Sequence, residues 1–216
     1  MQSQQAVIRT ACVGDSITRG TFVWRRKRNS YPAQLQALLG QGYRVSNFGV
    51  NGHAAQRAAD RPYRASKAFT LSLESAPHIV LIMLGTNDSR GQNWRGIEPF
   101  VNDYRTLVTR YLSLECVPRV WLLTPPSLFR VRRNRDVMYG MNEPAVRQMC
   151  GAVRGLAVEL GCELIDIHEV TRHHPEAFKF DGVHPGAKGA ALIADAVYAA
   201  LGQAARTGTA SGEAAL

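Results

Sequence analysis

The sequence contains no run of about 18 apolar residues, so no membrane-spanning helix is read in it. Its first residues, Met1-Gln-Ser-Gln-Gln-Ala, lack the charged start and apolar centre of a signal peptide, and a cytoplasmic location is the expectation. Cysteine is scarce: Cys12, Cys116, Cys150 and Cys162 show no Cys-x-x-Cys spacing, which argues against a zinc knuckle or a redox pair and favours free, buried thiols. Internal repeats and low-complexity linkers are missing too, which leaves no sign of a solenoid or of tethered modules. A chain of 216 residues with 45% hydrophobic content is long enough for one buried core and short for two. One domain is expected over 1–203, with 204–216 as a flexible tail.

Acidic residues are under-represented, 17 against 26 lysines and arginines, for a net charge of +9. The excess is concentrated. Arg25-Arg26-Lys27-Arg28 and the group Arg130, Arg132, Arg133, Arg135 with Asp136 hold most of it. Aromatic residues are not interleaved with these arginines, so a nucleic-acid partner is not expected. Two readings stay open: a solvated basic surface, or a rim that gathers an anionic substrate, with Arg130 as a candidate contact.

Hydrophobic patterning marks five strands. Ala6–Val13, Tyr43–Phe48, His78–Leu84, Arg119–Leu123 and Cys162–Ile167 are β-rich or continuously apolar and stop at Gly, Pro or polar residues. Between them Ser30–Leu39, His53–Ala76 with a break near Pro62, Ile97–Leu114, Asn142–Leu160 and Gly186–Leu201 read as helices. Strands alternating with helices at this spacing imply βαβ units, hence an α/β fold: a parallel sheet covered on both faces, a three-layer α/β/α sandwich.

Polar punctuation follows the strands, where such a sheet places its chemistry. Val13-Gly-Asp-Ser16-Ile-Thr18 follows the first, and Asp181-Gly-Val-His184-Pro185 precedes the last helix. A serine hydroxyl is a poor nucleophile unless an imidazole takes its proton, and that imidazole needs a carboxylate to fix its tautomer. Ser16, His184 and Asp181 supply the three groups, and the three-residue spacing lets the carboxylate accept from Nδ1 while Nε2 faces the serine. The segment lacks the second glycine of a Gly-x-Ser-x-Gly elbow, which argues against that alternative hydrolase architecture.

With Asn47-Phe-Gly-Val-Asn-Gly52 and Gly85-Thr-Asn87-Asp88, the order Ser, Gly, Asn, Asp-x-x-His resembles the SGNH hydrolases, also called GDSL esterases and lipases, from about Val7 to Leu201. The resemblance implies a flavodoxin-like five-stranded sheet ordered 2-1-3-4-5. It also implies an oxyanion hole formed by the backbone N–H groups of Ser16 and Gly52 and the side-chain amide of Asn87. No cofactor or metal is implied; the adjacent His173 and His174 point apart and find no third ligand. Among SGNH hydrolases the motifs look most like bacterial carbohydrate O-acetylesterases, including sialate-acetylesterase-like proteins. The expected activity is hydrolysis of short acyl esters, acetyl above all, on a small or oligosaccharide substrate. A broad carboxylesterase, thioesterase or lysophospholipase is the alternative, acyl transfer to a sugar uses the same residues, and a non-catalytic polyanion-binding protein is the reading from another class. Asp15, His53 and Trp94 are further candidates for contact with substrate, Trp94 as a wall for a sugar ring. Asp15 and Asp88 read first as acceptors that structure their loops.

Overall fold

The computed structural model describes residues 6–131 and 137–210, with side chains to residue 204. Strands β1 (Ile8–Gly14), β2 (Tyr43–Gly49), β3 (Ile79–Met83), β4 (Arg119–Leu123) and β5 (Glu163–Ile165) form one sheet in the order β2-β1-β3-β4-β5. Every pairing is parallel. Helices α1 (Ser16–Arg19), α2 (Arg26–Asn29), α3 (Tyr31–Leu39), α4 (Lys67–Glu74), α5 (Ile97–Leu112), α6 (Glu143–Glu159), α7 (Ile167–Thr171) and α8 (Ala187–Ala210) accompany it.

All five residues of β3 are buried, as expected of a central parallel strand with helices on both faces. Because successive side chains point to opposite faces, Val80 and Ile82 enter one core with Phe100 and Tyr104 of α5 and Met149 of α6. Leu81 and Met83 enter the other, with Leu35 of α3 and Ile193 and Val197 of α8. Two of the long connections end where side chains satisfy free helix N–H groups: Ser66 accepts from Phe69 N at 3.2 Å for α4, and Asn142 from Ala145 N at 3.1 Å for α6. The expected three-layer α/β/α sandwich and strand order are those observed.

Three segments differ from expectation. Residues 53–62 are not helical, and only Lys67–Glu74 of the expected span forms an α-helix. Their backbone donors are captured by side chains instead: the Asp88 carboxylate takes Ala55 N and Gln56 N, Asp103 takes Arg57 N, and Asn93 takes Asp60 N. The last helix continues through Gly202 to Ala210, although Gly202, Thr207, Gly208 and Thr209 are weak helix formers; residues 211–216 lie outside the described residues. Strand β5 keeps only three residues, because Asp166 leaves the sheet to cap α7, accepting from Glu169 N at 3.2 Å. The four cysteines are free thiols, Cys12 and Cys150 buried and the other two half-buried.

The register aligns the strand ends. Gly14 lies beside Gly49 and Met83, Met83 beside Leu123, and Leu123 beside Ile165, so the loops after all five strands leave one edge. Close packing there demands glycine. A methyl group on Gly49 would overlap the backbone of Thr18 and Arg19 in α1, whereas at Gly42 it would meet nothing within 4 Å. Gly49→Ala is therefore expected to lower the melting temperature by roughly 3–10 °C, the effect of about 1–3 kcal/mol of overpacking in a chain of this size. Gly42→Ala, measured in the same thermal scan, should change it by no more than about 1 °C.

Candidate active site

Ser16 opens α1, immediately after β1. Asp15 occupies the N-cap and accepts from Ile17 N at 2.9 Å, which turns the chain so that the serine side chain faces the strand-end edge. The loop that brings the histidine is equally fixed. Lys179 N donates to His184 O at 2.8 Å, Phe129 N to Gly182 O at 2.9 Å, and Gly182 sits at φ +68° against Phe129, where any side chain would collide with the backbone.

Ser16 Oγ lies 2.9 Å from His184 Nε2, and His184 Nδ1 lies 2.6 Å from Asp181 Oδ2. An ionised carboxylate only accepts, so the proton between them sits on Nδ1 and leaves Nε2 free to accept from the serine hydroxyl. The other carboxylate oxygen, Oδ1, accepts from the backbone N–H groups of Val183 and His184, both at 3.0 Å. Burial works to raise the Asp181 carboxyl, but these three hydrogen bonds outweigh it and hold the group below the usual carboxylate range. Tyr139 adds a fourth, donating its hydroxyl to Oδ2 at 3.3 Å.

The Asn87 amide, buried behind the serine, donates to Asp15 Oδ2 at 3.2 Å and to the carbonyl of His53 at 3.1 Å. Gly52 adopts φ +75°, a conformation side chains resist, and its N–H has no acceptor among the described residues. Ser16, Gly52, Asn87 and His184 line a single cavity of about 260 Å³. Five of the expected residues are thus brought together: Ser16, Asp181, His184, Gly52 and Asn87.

The remaining candidates stand elsewhere. Asp15 is buried beneath the serine as a cap and partner of Asn87. His53 sets its ring edge-on to Tyr63 and holds its Nδ1 2.9 Å from Asn51 O, contributing its carbonyl, not its ring, to the site. Trp94 packs on the α5–α6 core instead of walling the cavity. Arg130 borders two other clefts, one with Asn142 and Arg147 and one with Lys179 and Phe180; Arg132, Arg133, Arg135 and Asp136 lie outside the described residues.

Sequence reasoning did not find the cavity's walls. Phe22 and Tyr139 both pack beside the imidazole, with ring centroids 5.1 and 6.1 Å from it and both edge-on. Both occupy the left-handed backbone region, at φ +60° and +62°, which a non-glycine residue enters only at a cost. Thr21, Asn51, Arg61, Arg90 and Met141 also line the cavity. A bulky residue in a left-handed turn leaves no signature in its own letter; the glycine after Tyr139 was the one available cue.

A doubly wound α/β/α sandwich that presents a serine, an imidazole and a buried carboxylate in hydrogen-bonded line at the C-terminal edge of its sheet has the frame of a serine hydrolase. Comparison with known proteins shows the family. Residues 12–192 match the model of the GDSL-like lipase/acylhydrolase family, and the chain belongs to that family, as its SGNH-type motifs imply. It is 30% identical over 92% of its length to an acetylxylan esterase of Xylanibacter ruminicola, and spans 44% of that longer protein. Among solved structures, the carbohydrate acetylesterase Est24 of Sinorhizobium meliloti superposes with a TM-score of 0.76 at 20% identity, over 91% of this chain and 99% of that one. The native aryl esterase of M. smegmatis gives a TM-score of 0.76 at 18% identity, with the same coverage. At those identities the two structures speak for the fold.

Two more carboxyls are buried at this edge, and both are pushed up. Burial raises Asp15 to about 7 against the pull of the Ile17 N–H and the His184 charge, and raises Asp88 to about 6 against the Ala55 and Gln56 N–H groups. A carboxyl whose folded-state pKa exceeds its unfolded value binds more protons when folded, so stability is greatest below about pH 4 for these two groups and falls as pH rises towards 6 and 7. Asp181 has the opposite sign, but its window lies below the unfolded value of 3.8. Denaturant titrations of Asp88→Asn from pH 4 to pH 7 should show the variant less stable at pH 4, where it lacks an acceptor for one N–H. They should also show a shallower fall with pH than wild type, by on the order of 2 kcal/mol. An unchanged slope would mean that Asp88 does not titrate in this range.

Proposed function

We propose that the protein is a serine esterase that removes short acyl groups, acetyl above all, from carbohydrate esters. The observation that carries this reading is the 2.9 Å hydrogen bond between Ser16 Oγ and a histidine held by a buried carboxylate. His184 takes the serine proton as Oγ attacks the ester carbonyl. The tetrahedral intermediate then collapses, and the alcohol leaves with the proton from Nε2. Water, deprotonated by the same imidazole, attacks the acyl-serine and releases the acid. Asp181 remains ionised throughout and stabilises the imidazolium.

The oxyanion is assigned to the N–H groups of Ser16 and Gly52 and the Asn87 amide, each such donor being worth about 10²–10³ in rate. Gly52 supports this role because its N–H has no competing protein acceptor. The acyl group is placed in the cavity of about 260 Å³ that Phe22 and Tyr139 help to line, and the preference for acetyl is carried over from the acetylxylan esterase relative. A carbohydrate alcohol is supported by the acetylxylan esterase relative, from which that substrate class is carried over.

One observation favours a broader carboxylesterase: Phe22 and Phe180 are exposed and touch at the rim, with centroids 5.8 Å apart, an apolar landing for an aryl or longer acyl group. A profile of p-nitrophenyl esters from acetyl to octanoyl, run beside acetylated sugars, separates the two. We expect kcat/KM to be highest for acetyl and to fall by about tenfold or more by hexanoyl; a maximum at medium or long chains rejects the deacetylase. Ser16→Ala should lower kcat/KM by about 10⁴ or more with its fold intact, and an organophosphonate should label wild type but not the variant.

A further inference from the structure

A second and larger cavity, about 650 Å³, lies on the far side of α1 between α2, the start of α3 and the edge strand β2. Arg19, Arg26 and Lys27 line it, and no carboxylate does. None of the three cations has an ion-pair partner among the described residues. The first turn of α3 faces the same space through Ser30, Pro32 and Ala33. Ser30, a residue only 3% exposed, occupies the N-cap of that helix, yet its hydroxyl caps nothing and makes no hydrogen bond among the described residues. Three unpaired cations, a helix N-terminus and a serine hydroxyl that faces the cavity without a protein partner are the components of an oxyanion site.

The position of this cavity ties it to the serine. Arg19 lines it while Thr21 lines the serine cavity, and Gly49 lines it while Asn51 lines the serine cavity. Consecutive Cα atoms are about 3.8 Å apart, so each pair of lining residues is separated by no more than about 7.6 Å. Thr21 Oγ1 donates to Asn51 Oδ1 at 2.6 Å, forming the low ridge between the two cavities.

We infer that the cavity lined by Arg19, Arg26, Lys27 and Ser30 is a subsite for an oxyanion group, a carboxylate or a phosphate, carried by the same molecule that presents its ester to Ser16. The natural substrate is then an acylated acidic saccharide: the ester occupies the serine cavity, and the charged group on the same or a neighbouring sugar crosses the Thr21–Asn51 ridge. Arg25 takes no part, since its guanidinium lies over the Trp24 ring at 4.1 Å. The inference rests on the esterase reading for the ester's place, but binding tests it without turnover.

Calorimetric titration of the full chain with three ligands provides the test: an acetylated oligosaccharide bearing one uronic acid, its neutral counterpart, and an acetylated sugar phosphate. Wild type at low salt should bind at least one charged ligand about tenfold or more tightly than the neutral one, and the ligand that gains identifies carboxylate or phosphate as the group. About 0.5 M salt should erase most of the gain. Arg26→Gln/Lys27→Gln, at two exposed positions, should abolish it while leaving kcat/KM for p-nitrophenyl acetate within about twofold. Ser30→Ala should reduce it without changing the charge. Equal affinity for charged and neutral ligands in wild type, or a preference that survives in the double variant, overturns the subsite. A protein that favours the charged ligand but hydrolyses no ester would overturn the esterase reading alone; an active esterase indifferent to charge would overturn the subsite alone.

Discussion

The side-chain amide of Asn87 ties together the loops that follow the three adjacent strands β2, β1 and β3. It belongs to the loop after β3, donates to Asp15 from the loop after β1, and donates to the carbonyl of His53 from the loop after β2. A parallel sheet brings these loops to one edge but does not fix their relative heights; this buried pair of hydrogen bonds does. Ser16 is the residue after Asp15, and Gly52 the residue before His53. The node therefore sets Ser16, the proposed nucleophile, and the Gly52 N–H relative to each other. His184 comes from 168 residues further along the chain and needs its own support, which the Asp181 carboxylate and the Phe129–Gly182 contact supply.

The node also bears on how the proposed oxyanion hole would work. Both amide hydrogens of Asn87 already have acceptors, so a neutral ester carbonyl offers too little to draw one away from Asp15. A developing oxyanion is a far stronger acceptor and can take a share. Stabilisation that arises mainly once negative charge has formed is what accelerates the chemical step, because it deepens the transition state without deepening the ground state. Asp15 is suited as the competing acceptor because burial raises its pKa to about 7, so that near neutral pH it is partly protonated and its neutral form accepts more weakly than a carboxylate.

What could be read from the sequence followed from how few residue types can do a given job. A nucleophile, a base and its carboxylate must be Ser, His and Asp or a close substitute, and their motifs stood out for that reason. The central strands were legible because β3, buried on both faces, has to be continuously apolar. Residues 53–62 were not, since their conformation is decided by Asp88, Asp103 and Asn93, whose capture of backbone N–H groups no local pattern announces. Trp94 illustrates the reverse error: a tryptophan near a catalytic loop invites a role in binding, but here it packs on the core. The basic segment was visible as charge, yet its division into Arg25 over Trp24 and Arg26 and Lys27 facing a cavity depends on the left-handed turn at Arg25, φ +49°.

Left-handed residues recur around the histidine, and they share a physical logic. Phe22 and Tyr139 each adopt a backbone conformation that glycine would take without strain, at a cost of about 1–3 kcal/mol. Glycine would leave the imidazole without these rings beside it. The aromatic rings cover it edge-on, lower the polarity around the His184–Asp181 pair, and in Tyr139 add a hydroxyl that reaches Asp181 Oδ2. Excluding water strengthens the electrostatic interaction between carboxylate and imidazolium on which the proposed proton transfer from Ser16 depends. The backbone strain thus lies beside the groups whose electrostatics it serves, while the glycines of the same edge, Gly49 and Gly182, are retained where a side chain would strike backbone.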